Sequence, residues 1–121
     1  MIGYVTIGTN NFEKAKAYYD TLLAELGGKR GFSNDHMQGY AGAGGAMLAV
    51  CTPNDGKAAS HGNGTMLALT APNREAVDKV HAKALSLGSK DEGAPGDRGN
   101  GFYGAYFRDL DGNKLCVFKM G

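Results

Sequence analysis

Residues 102–121 read FYGAYFRDLDGNKLCVFKMG, and this stretch decides the fold. Apolar residues alternate along 102–107, and residues 114–118 form a second short apolar run. Between the two runs, residues 109–113 have the composition of a tight turn, because Gly112 accepts a positive φ and Asp and Asn side chains bond their own backbone. The sequence therefore predicts that the chain ends in a β-hairpin, which we expect to form one wall of a cavity.

A strand and a helix are predicted at the start of the chain. Residues 4–8 have the composition of a strand, and over 12–26 apolar side chains recur at helical spacing. Asn11 is a suitable N-cap, and Gly27 and Gly28 supply the left-handed backbone that often ends a helix. Three short strands are predicted to follow, near 30–33, 37–41 and 46–51.

The second half of the chain repeats this order. A strand is predicted at 66–70, and a helix from its N-cap Asn73 to Gly88 has an apolar face formed by Val77, Val80, Ala84 and Leu85. An offset of 62 residues superimposes Asn11 on Asn73. A short strand at 90–92 and a surface loop at 93–101 are predicted to precede the terminal hairpin.

These patterns predict an α+β fold made of two βαβββ modules, with curled mixed sheets around a central cleft. With 121 residues, 42% of them hydrophobic, we expect a single domain, 1–121, with one core. Module 1 covers about 1–52, module 2 covers about 64–121, and the loop 53–63 joins them.

Composition excludes several classes of partner. Thirteen Lys plus Arg and twelve Asp plus Glu are mixed along the chain, so we expect no nucleic-acid or membrane partner. No apolar run is long enough to span a membrane, and the first residues do not resemble a signal peptide, which favours a cytoplasmic protein. Cys51 and Cys116 are far apart in sequence and are expected to be reduced.

Two motifs resemble those of a known family. Residues 9–15, TNNFEKA, with the tyrosine pair at 18–19, are similar to its opening helix, and 107–113, FRDLDGN, are similar to its terminal hairpin. The stretch 91–98 also resembles a loop of an uncharacterised glyoxalase-like branch. The chain is thereby identified as a member of the vicinal oxygen chelate superfamily, the glyoxalase, bleomycin-resistance and ring-cleaving dioxygenase group. The resemblance covers nearly the whole chain and implies paired modules and a homodimer.

The resemblance also implies where a divalent metal would be bound in the family's enzymes. Its ligand positions fall on Tyr4, Met66 and Cys116, with one more within 47–51, and none of these is His, Asp or Glu. No such residue occurs anywhere in the four strands concerned, 2–8, 43–52, 64–71 and 114–119. Because a divalent ion needs three or four convergent donors, we expect no metal site and no other cofactor.

The candidate ligand-binding residues follow from the same positions. The expected pocket is lined by Tyr4, Thr6, Met66, Tyr106 and Cys116, and Arg98 with Tyr103 and Tyr106 forms a rim that could hold a carboxylate or phosphate. The alternative is that the aromatic residues fill a core, that Arg98 is a solvated loop charge and that Cys116 is a buried hydrophobic residue. A reactive thiol would need a nearby cation or helix N-terminus, and the sequence shows neither.

Other polar residues have structural explanations. His36, His61 and His81 are expected at the surface or half-buried, although a nucleophilic pair of His61 with a cysteine stays open. Asp109 and its neighbours resemble a calcium loop in composition but not in spacing, so turn formation explains them.

Two functions remain. The first is a metal-free protein that binds a small, partly aromatic or anionic molecule, as in the drug-sequestering members of the family. The alternative is a metal-dependent glyoxalase-type lyase or dioxygenase that takes its ligands from the 53–63 loop or a partner subunit, so whether the protein is an enzyme stays open.

Overall fold

The computed structural model describes all 121 residues of the chain. Its elements follow one another as β1 (Tyr4–Gly8), α1 (Phe12–Ala24), β2 (Lys29–Ser33), β3 (Met37–Ala41), β4 (Met47–Cys51), β5 (Leu67–Thr70), α2 (Arg74–Ser86), β6 (Lys90–Asp97), β7 (Phe102–Arg108) and β8 (Lys114–Met120). The chain forms two compact units, unit 1 (Met1–His61) and unit 2 (Gly62–Gly121). Each unit has the order βαβββ, which confirms the predicted repeat. Neither helix is long and apolar enough to cross a membrane.

The two sheets have the same topology. In unit 1 the strand order is β1-β4-β3-β2, and in unit 2 it is β5-β8-β7-β6. The first strand of each unit pairs in parallel with the last, and the other pairs are antiparallel. A parallel pair needs a long crossover connection, and the helix that follows the first strand forms part of it. Each sheet is therefore mixed and four-stranded.

Helix α1 starts where its sequence predicts and ends two residues early. The Asn11 side chain accepts a 3.1 Å hydrogen bond from the Lys14 backbone N–H. At the other end Gly27 has a φ of 75°, and the Gly28 N–H donates to the Leu23 carbonyl at 2.8 Å. The helix ends at Ala24, two residues before the predicted end, because the chain tightens there into turns that place Leu26 N–H on the Leu23 carbonyl.

Helix α2 differs from its prediction in which residues are buried. Asn73 caps it as expected, its side chain accepting from the Ala76 N–H at 2.8 Å. His81, however, is only 5% exposed, whereas Leu85 is exposed although the pattern placed it on the apolar face. The burial of His81 corrects the expectation of a surface or half-buried histidine. The ring is accommodated because it contacts the Asp91 carboxylate at 3.0 Å and the edge of Phe107.

The terminal hairpin forms as predicted. The Asp109 carboxylate is buried and accepts backbone hydrogen bonds of 2.9 Å from Asp111 and Asn113, together with one from the Asn113 side-chain amide. Gly112 has a φ of 87°, the conformation for which glycine was expected. These bonds within the turn confirm that turn formation explains its Asp and Asn residues.

Strand β6 corrects the predicted loop at 93–101. The strand extends over Lys90–Asp97, well beyond the predicted 90–92. Its pairing with β7 shifts register between Asp91 and Gly93 and again between Gly93 and Gly96. Such bulges at a sheet edge accommodate the Gly and Pro residues that made the segment resemble a loop. The bulged strand brings Arg98 back toward β7.

In unit 1, a charged cluster joins α1 to the edge of the sheet. The Arg30 guanidinium donates two 2.8 Å hydrogen bonds to the Asp20 carboxylate, and the Tyr40 hydroxyl donates a third at 2.8 Å. Arg30 is the largest cause that lowers the pKa of Asp20 below its ordinary value, with Tyr40 adding to it. The ionised Asp20 carboxylate therefore stabilises the folded state.

Because the pKa of Asp20 is lowered, we expect part of the free energy of unfolding to be lost in acid. A carboxyl whose folded pKa is depressed stabilises the fold above its unfolded pKa, near 4, and loses this contribution as the pH falls through the folded pKa. We expect Asp20→Asn to flatten part of the decline in unfolding free energy below about pH 4, measured by urea denaturation. Arg30→Gln should flatten the same part, and an unchanged slope in Asp20→Asn would contradict the assignment.

Candidate functional site: the open sheet faces

Each sheet has one face against its own helix and an opposite face, which we name the open face. In unit 1, cross-strand partners place the side chains of Tyr4 and Met47, and of Thr6 and Ala49, on the same face. The residues that alternate with them include Ile7 and Val50, which are buried on the helix side. The side chains on the open face of unit 1 are therefore those of Tyr4, Thr6, Met47, Ala49 and Cys51, of which Ala49 is fully buried.

Tyr4 and Thr6 are exposed on this face. Tyr4 is 56% exposed, and its ring meets the edge of the Phe32 ring at a centroid distance of 5.6 Å. Phe32 lies over Gly39, where an added Cβ would come within 2.6 Å of the ring. The sequence interpretation missed Phe32, although a glycine in the neighbouring strand is a signal that a ring packs across it.

The open face of unit 2 brings together three of the predicted residues. Tyr106 lies directly opposite Cys116 in the β7–β8 pair. The Tyr106 ring covers Gly93, where an added Cβ would lie 3.0 Å from the ring. The Arg98 guanidinium is 5.4 Å from the centroid of the same ring, within the range of a cation–π contact.

Arg98 is held by backbone carbonyls and has no acidic partner. Its Nη2 donates to the carbonyl of Ala94 and, at 3.3 Å, to that of Gly104. The other three arginines, Arg30, Arg74 and Arg108, each form an ion pair with a carboxylate. The charge of Arg98 is thus oriented by the protein and not neutralised by a carboxylate.

Lys114 is a site residue that the sequence interpretation missed. Its ammonium is 5.6 Å from the centroid of the Tyr106 ring. Lys114 precedes Cys116 by two residues, so strand alternation puts the two on one face, and this spacing was the signal that could have found it. Tyr106 therefore has two cations within reach of its ring, those of Arg98 and Lys114.

Cys116 is fully buried in β8, and its thiol is free. Burial raises the pKa of the thiol, while the hydrogen bond with Tyr106 and the charges of Arg98 and Lys114 act in the opposite direction without cancelling that rise. A raised pKa keeps the group as a thiol at neutral pH, the less nucleophilic form. The geometry thus favours the small buried residue that the sequence offered as the alternative to a reactive cysteine.

Two stacked rings extend the open face of unit 2. Phe102 and Phe118 are almost parallel, 8° apart, with a centroid distance of 5.1 Å. Gly104 lies beneath Phe102, where an added Cβ would come within 2.6 Å of the ring. Met66, just before β5, is 42% exposed. The face thus combines aromatic surface with two cationic side chains.

Tyr103 does not join this group. It is three residues from Tyr106, so the alternation of β7 turns it to the helix side. There its hydroxyl donates to Asp78 at 2.7 Å, and the Arg74 guanidinium lies 4.9 Å from its ring centroid. The hydrogen bond to Asp78 raises the pKa of the Tyr103 phenol. The structure therefore separates Tyr103 from Arg98 and Tyr106, with which the sequence had grouped it.

Comparison with known proteins agrees with this architecture. The family model described as Glyoxalase/Bleomycin resistance protein/Dioxygenase superfamily matches residues 1–117. The chain belongs to this superfamily. That membership confirms the resemblance found from the helix and hairpin motifs. No curated protein matches the chain.

Solved structures of the superfamily share the fold. A glyoxalase/bleomycin resistance protein from Albidiferax ferrireducens T118 is 36% identical, with a TM-score of 0.91 over 100% of this chain and 99% of that one. A glyoxalase/bleomycin resistance protein/dioxygenase family enzyme from Burkholderia phytofirmans PsJN is 18% identical, with a TM-score of 0.78 over 98% of each chain. A lactoylglutathione lyase from Agrobacterium tumefaciens is 18% identical, with a TM-score of 0.72 over 98% of this chain and 92% of that one.

The side chains at the superfamily's metal positions do not fit a divalent cation. Tyr4, Met66 and Cys116 offer a phenol, a thioether and a thiol. Within β4, Met47, Ala49 and Cys51 share the open face with β1, which leaves only sulfur donors there. No three His, Cys, Asp or Glu side chains are grouped so that they could hold a metal ion. Hard and borderline divalent ions are usually held by three or four convergent carboxylate, imidazole or thiolate donors. These positions offer no carboxylate and no imidazole, so they are a poor ligand set.

Proposed function

We propose that this superfamily member binds a small anionic molecule with a planar apolar part, without using the metal site of the family's enzymes. The observation that carries the proposal is Arg98, which is fixed by two carbonyls over the Tyr106 ring and has no carboxylate partner. An arginine whose planar group is already oriented loses less entropy when it binds a carboxylate or phosphate. The open face of unit 2 is the proposed binding surface.

Charge on this surface favours an anionic group. Lys114 adds a second cation beside Tyr106, and it forms no ion pair. Glu92, the acidic side chain influenced by Lys114, is itself engaged by Arg108 at 2.7 Å. The two cations near Tyr106 are therefore available to an incoming anion.

Aromatic rings on the same surface favour a planar or apolar group. The stacked Phe102 and Phe118 rings and the half-buried Tyr106 ring provide flat surfaces on which such a group can pack. We also predict that Tyr4, Thr6 and Met66 contact the ligand. The side chains of all three are exposed. Cys116 would contribute packing surface and not a nucleophile.

A homodimer is part of the proposal. Several large apolar side chains are exposed in the single chain, namely Met1, Ile2, Tyr4, Phe32, Met66 and Met120. Clusters of exposed apolar residues commonly mark protein interfaces, so we propose that a second copy covers part of them. We also propose that the protein acts in the cytoplasm, as its sequence indicates.

The proposal predicts saturable binding that depends on Arg98. Phenyl phosphate and benzoate are suitable anionic probes for calorimetry, and benzyl alcohol is the uncharged control. Arg98→Gln should weaken the binding of either anion by about tenfold or more, since a hydrogen bond to a charged group contributes about 1.5–3 kcal/mol. The molecular mass of the protein, measured by light scattering beforehand, tests the homodimer.

Arg74→Gln is the matched control, because Arg74 also lies over a tyrosine ring but on the helix side and paired with Asp97. It should change anion affinity by less than about twofold. Equal losses in the Arg98 and Arg74 variants, or no saturable binding of any anionic probe, would contradict the proposed site. Tight stoichiometric binding of nickel, zinc, manganese or ferrous iron would contradict the metal-free reading and favour the enzyme.

A further inference from the structure

A groove of about 360 Å³ lies in unit 1, away from the residues of the proposed site. It is formed where β1 ends, at the turn between β2 and β3, and by the segment that follows β4, with Asn10, His36, Thr52, Asn54 and Lys57 among its lining residues. Its volume is within the range of about 300–1,000 Å³ that is usual for small-molecule sites. None of its lining residues belongs to the open faces described above.

The walls of the groove are fixed by specific hydrogen bonds. The Asn10 side chain pairs with the backbone of Ala59, accepting its N–H at 2.7 Å and donating to its carbonyl at 3.2 Å. Gly8 permits the close approach, because a Cβ there would lie 2.9 Å from that of Ala59. Gly56, with a φ of 74°, closes a turn onto the Pro53 carbonyl. The segment after β4 is therefore held in one shape before any ligand arrives.

Lys57 is the only charged side chain among the residues that line the groove. No Asp or Glu lines it, and His36 adds an imidazole ring. Asp55, whose carboxylate accepts the Lys57 backbone N–H at 2.9 Å, is exposed and does not line the groove. Lys57 forms no ion pair through its ammonium. A small fixed groove with basic and no acidic lining attracts an anion.

Two hydrogen bonds orient His36 in the groove. The His36 ring Nδ1 lies 3.3 Å from the Thr52 hydroxyl, and the His36 backbone N–H donates to the Asn34 side chain at 2.8 Å. These contacts set the direction of the imidazole ring, so that its other nitrogen is available to a ligand. Lysine, a mobile point charge, suits the several oxygens of a phosphate.

We propose that this groove is a second binding site, for the oxyanion group of a small molecule, with a phosphate as its preferred form. Lys57 and His36 bind the oxygens, and the Thr52 hydroxyl and the Asn54 amide, which also line the groove, complete the shell. The site is independent of Arg98, since every lining residue belongs to unit 1. The protein would then bind anionic molecules at two places.

Residue-resolved NMR of the whole protein tests the proposal. Inorganic phosphate is titrated at constant ionic strength into ¹⁵N-labelled protein, and sodium acetate is titrated in parallel. We expect saturable shifts at residues 9–10, 36 and 52–58, with a Kd for phosphate that Lys57→Gln raises about tenfold. His36→Gln should also raise it. Saturation by acetate at the same residues supports the oxyanion site and assigns it to carboxylates as well.

Lys29→Gln is the matched control, because it removes an exposed lysine that does not line the groove. It should leave the Kd unchanged, and the spectra of all variants report whether they remain folded. Shifts that never saturate, shifts spread over lysines generally, or equal effects of Lys57→Gln and Lys29→Gln would overturn the proposal. Shifts confined to residues around Arg98 would also overturn it while leaving the proposed function intact.

Discussion

Replacing Phe107 by alanine is expected to lower the free energy of unfolding by about 3–5 kcal/mol. Phe107 has no exposed surface and lies on the helix side of β7, where its ring meets that of His81 at a centroid distance of 6.4 Å. The substitution removes this ring from the core between α2 and its sheet and leaves a cavity that a packed interior cannot close. Urea denaturation followed by circular dichroism measures the loss.

The control is Phe32→Ala, which removes the same side chain from a site where it is 41% exposed. Its cost should be about 1 kcal/mol or less, because less apolar surface is taken out of contact. If Phe107→Ala is too unstable to purify, Phe107→Leu should still cost more than Phe32→Leu. Equal losses at the two positions would show that the core of unit 2 is not packed as described.

Asp109→Ala is expected to cost about 3 kcal/mol. The buried Asp109 carboxylate accepts the backbone N–H groups of Asp111 and Asn113 and the amide of Asn113. Alanine would leave these donors without that acceptor inside the turn, where water has little access to replace it. The same denaturation experiment, with the slope on urea concentration as a check on two-state behaviour, measures the effect.

Asp55→Ala provides the comparison, since Asp55 also accepts a backbone N–H two residues ahead, but in an exposed turn. Water can replace the lost acceptor there, so we expect a loss below about 1 kcal/mol. A loss in Asp109→Ala as small as that in Asp55→Ala would mean that the hairpin turn is held by its backbone alone.

Local patterns were sufficient to predict most of the fold. The strand at 4–8, the caps at Asn11 and Asn73, and the terminal hairpin all depend on residues close in sequence, and the structure has each of them. Strand β6 was predicted too short, as 90–92, because its pairing depends on β7 and two bulges allow Gly and Pro within it. A bulge is set by the partner strand, which a local pattern does not contain.

The candidate site was harder to predict because it depends on register and on backbone atoms. Pairing of Tyr106 with Cys116 requires the register of β7 on β8, and alternation along β7 then excludes Tyr103 from the same face. Arg98 is positioned by two carbonyl groups that no side-chain pattern reveals. Register likewise places Met47 and Ala49 beside Tyr4 and Thr6 on one face, whereas the sequence left open which residue of β4 faces the cavity.

In each unit an aromatic ring packs on a glycine of the neighbouring strand, so a substitution at either glycine would alter the surface of that unit alone. In unit 1 the ring comes from β2 and the glycine from β3, whereas in unit 2 the ring comes from β7 and the glycine from β6. A side chain at position 39 would collide with the Phe32 ring, and one at position 93 would collide with the Tyr106 ring and crowd the Arg98 guanidinium. A single substitution can in this way change the recognition surface of one unit, while the surface of the other unit stays as it is.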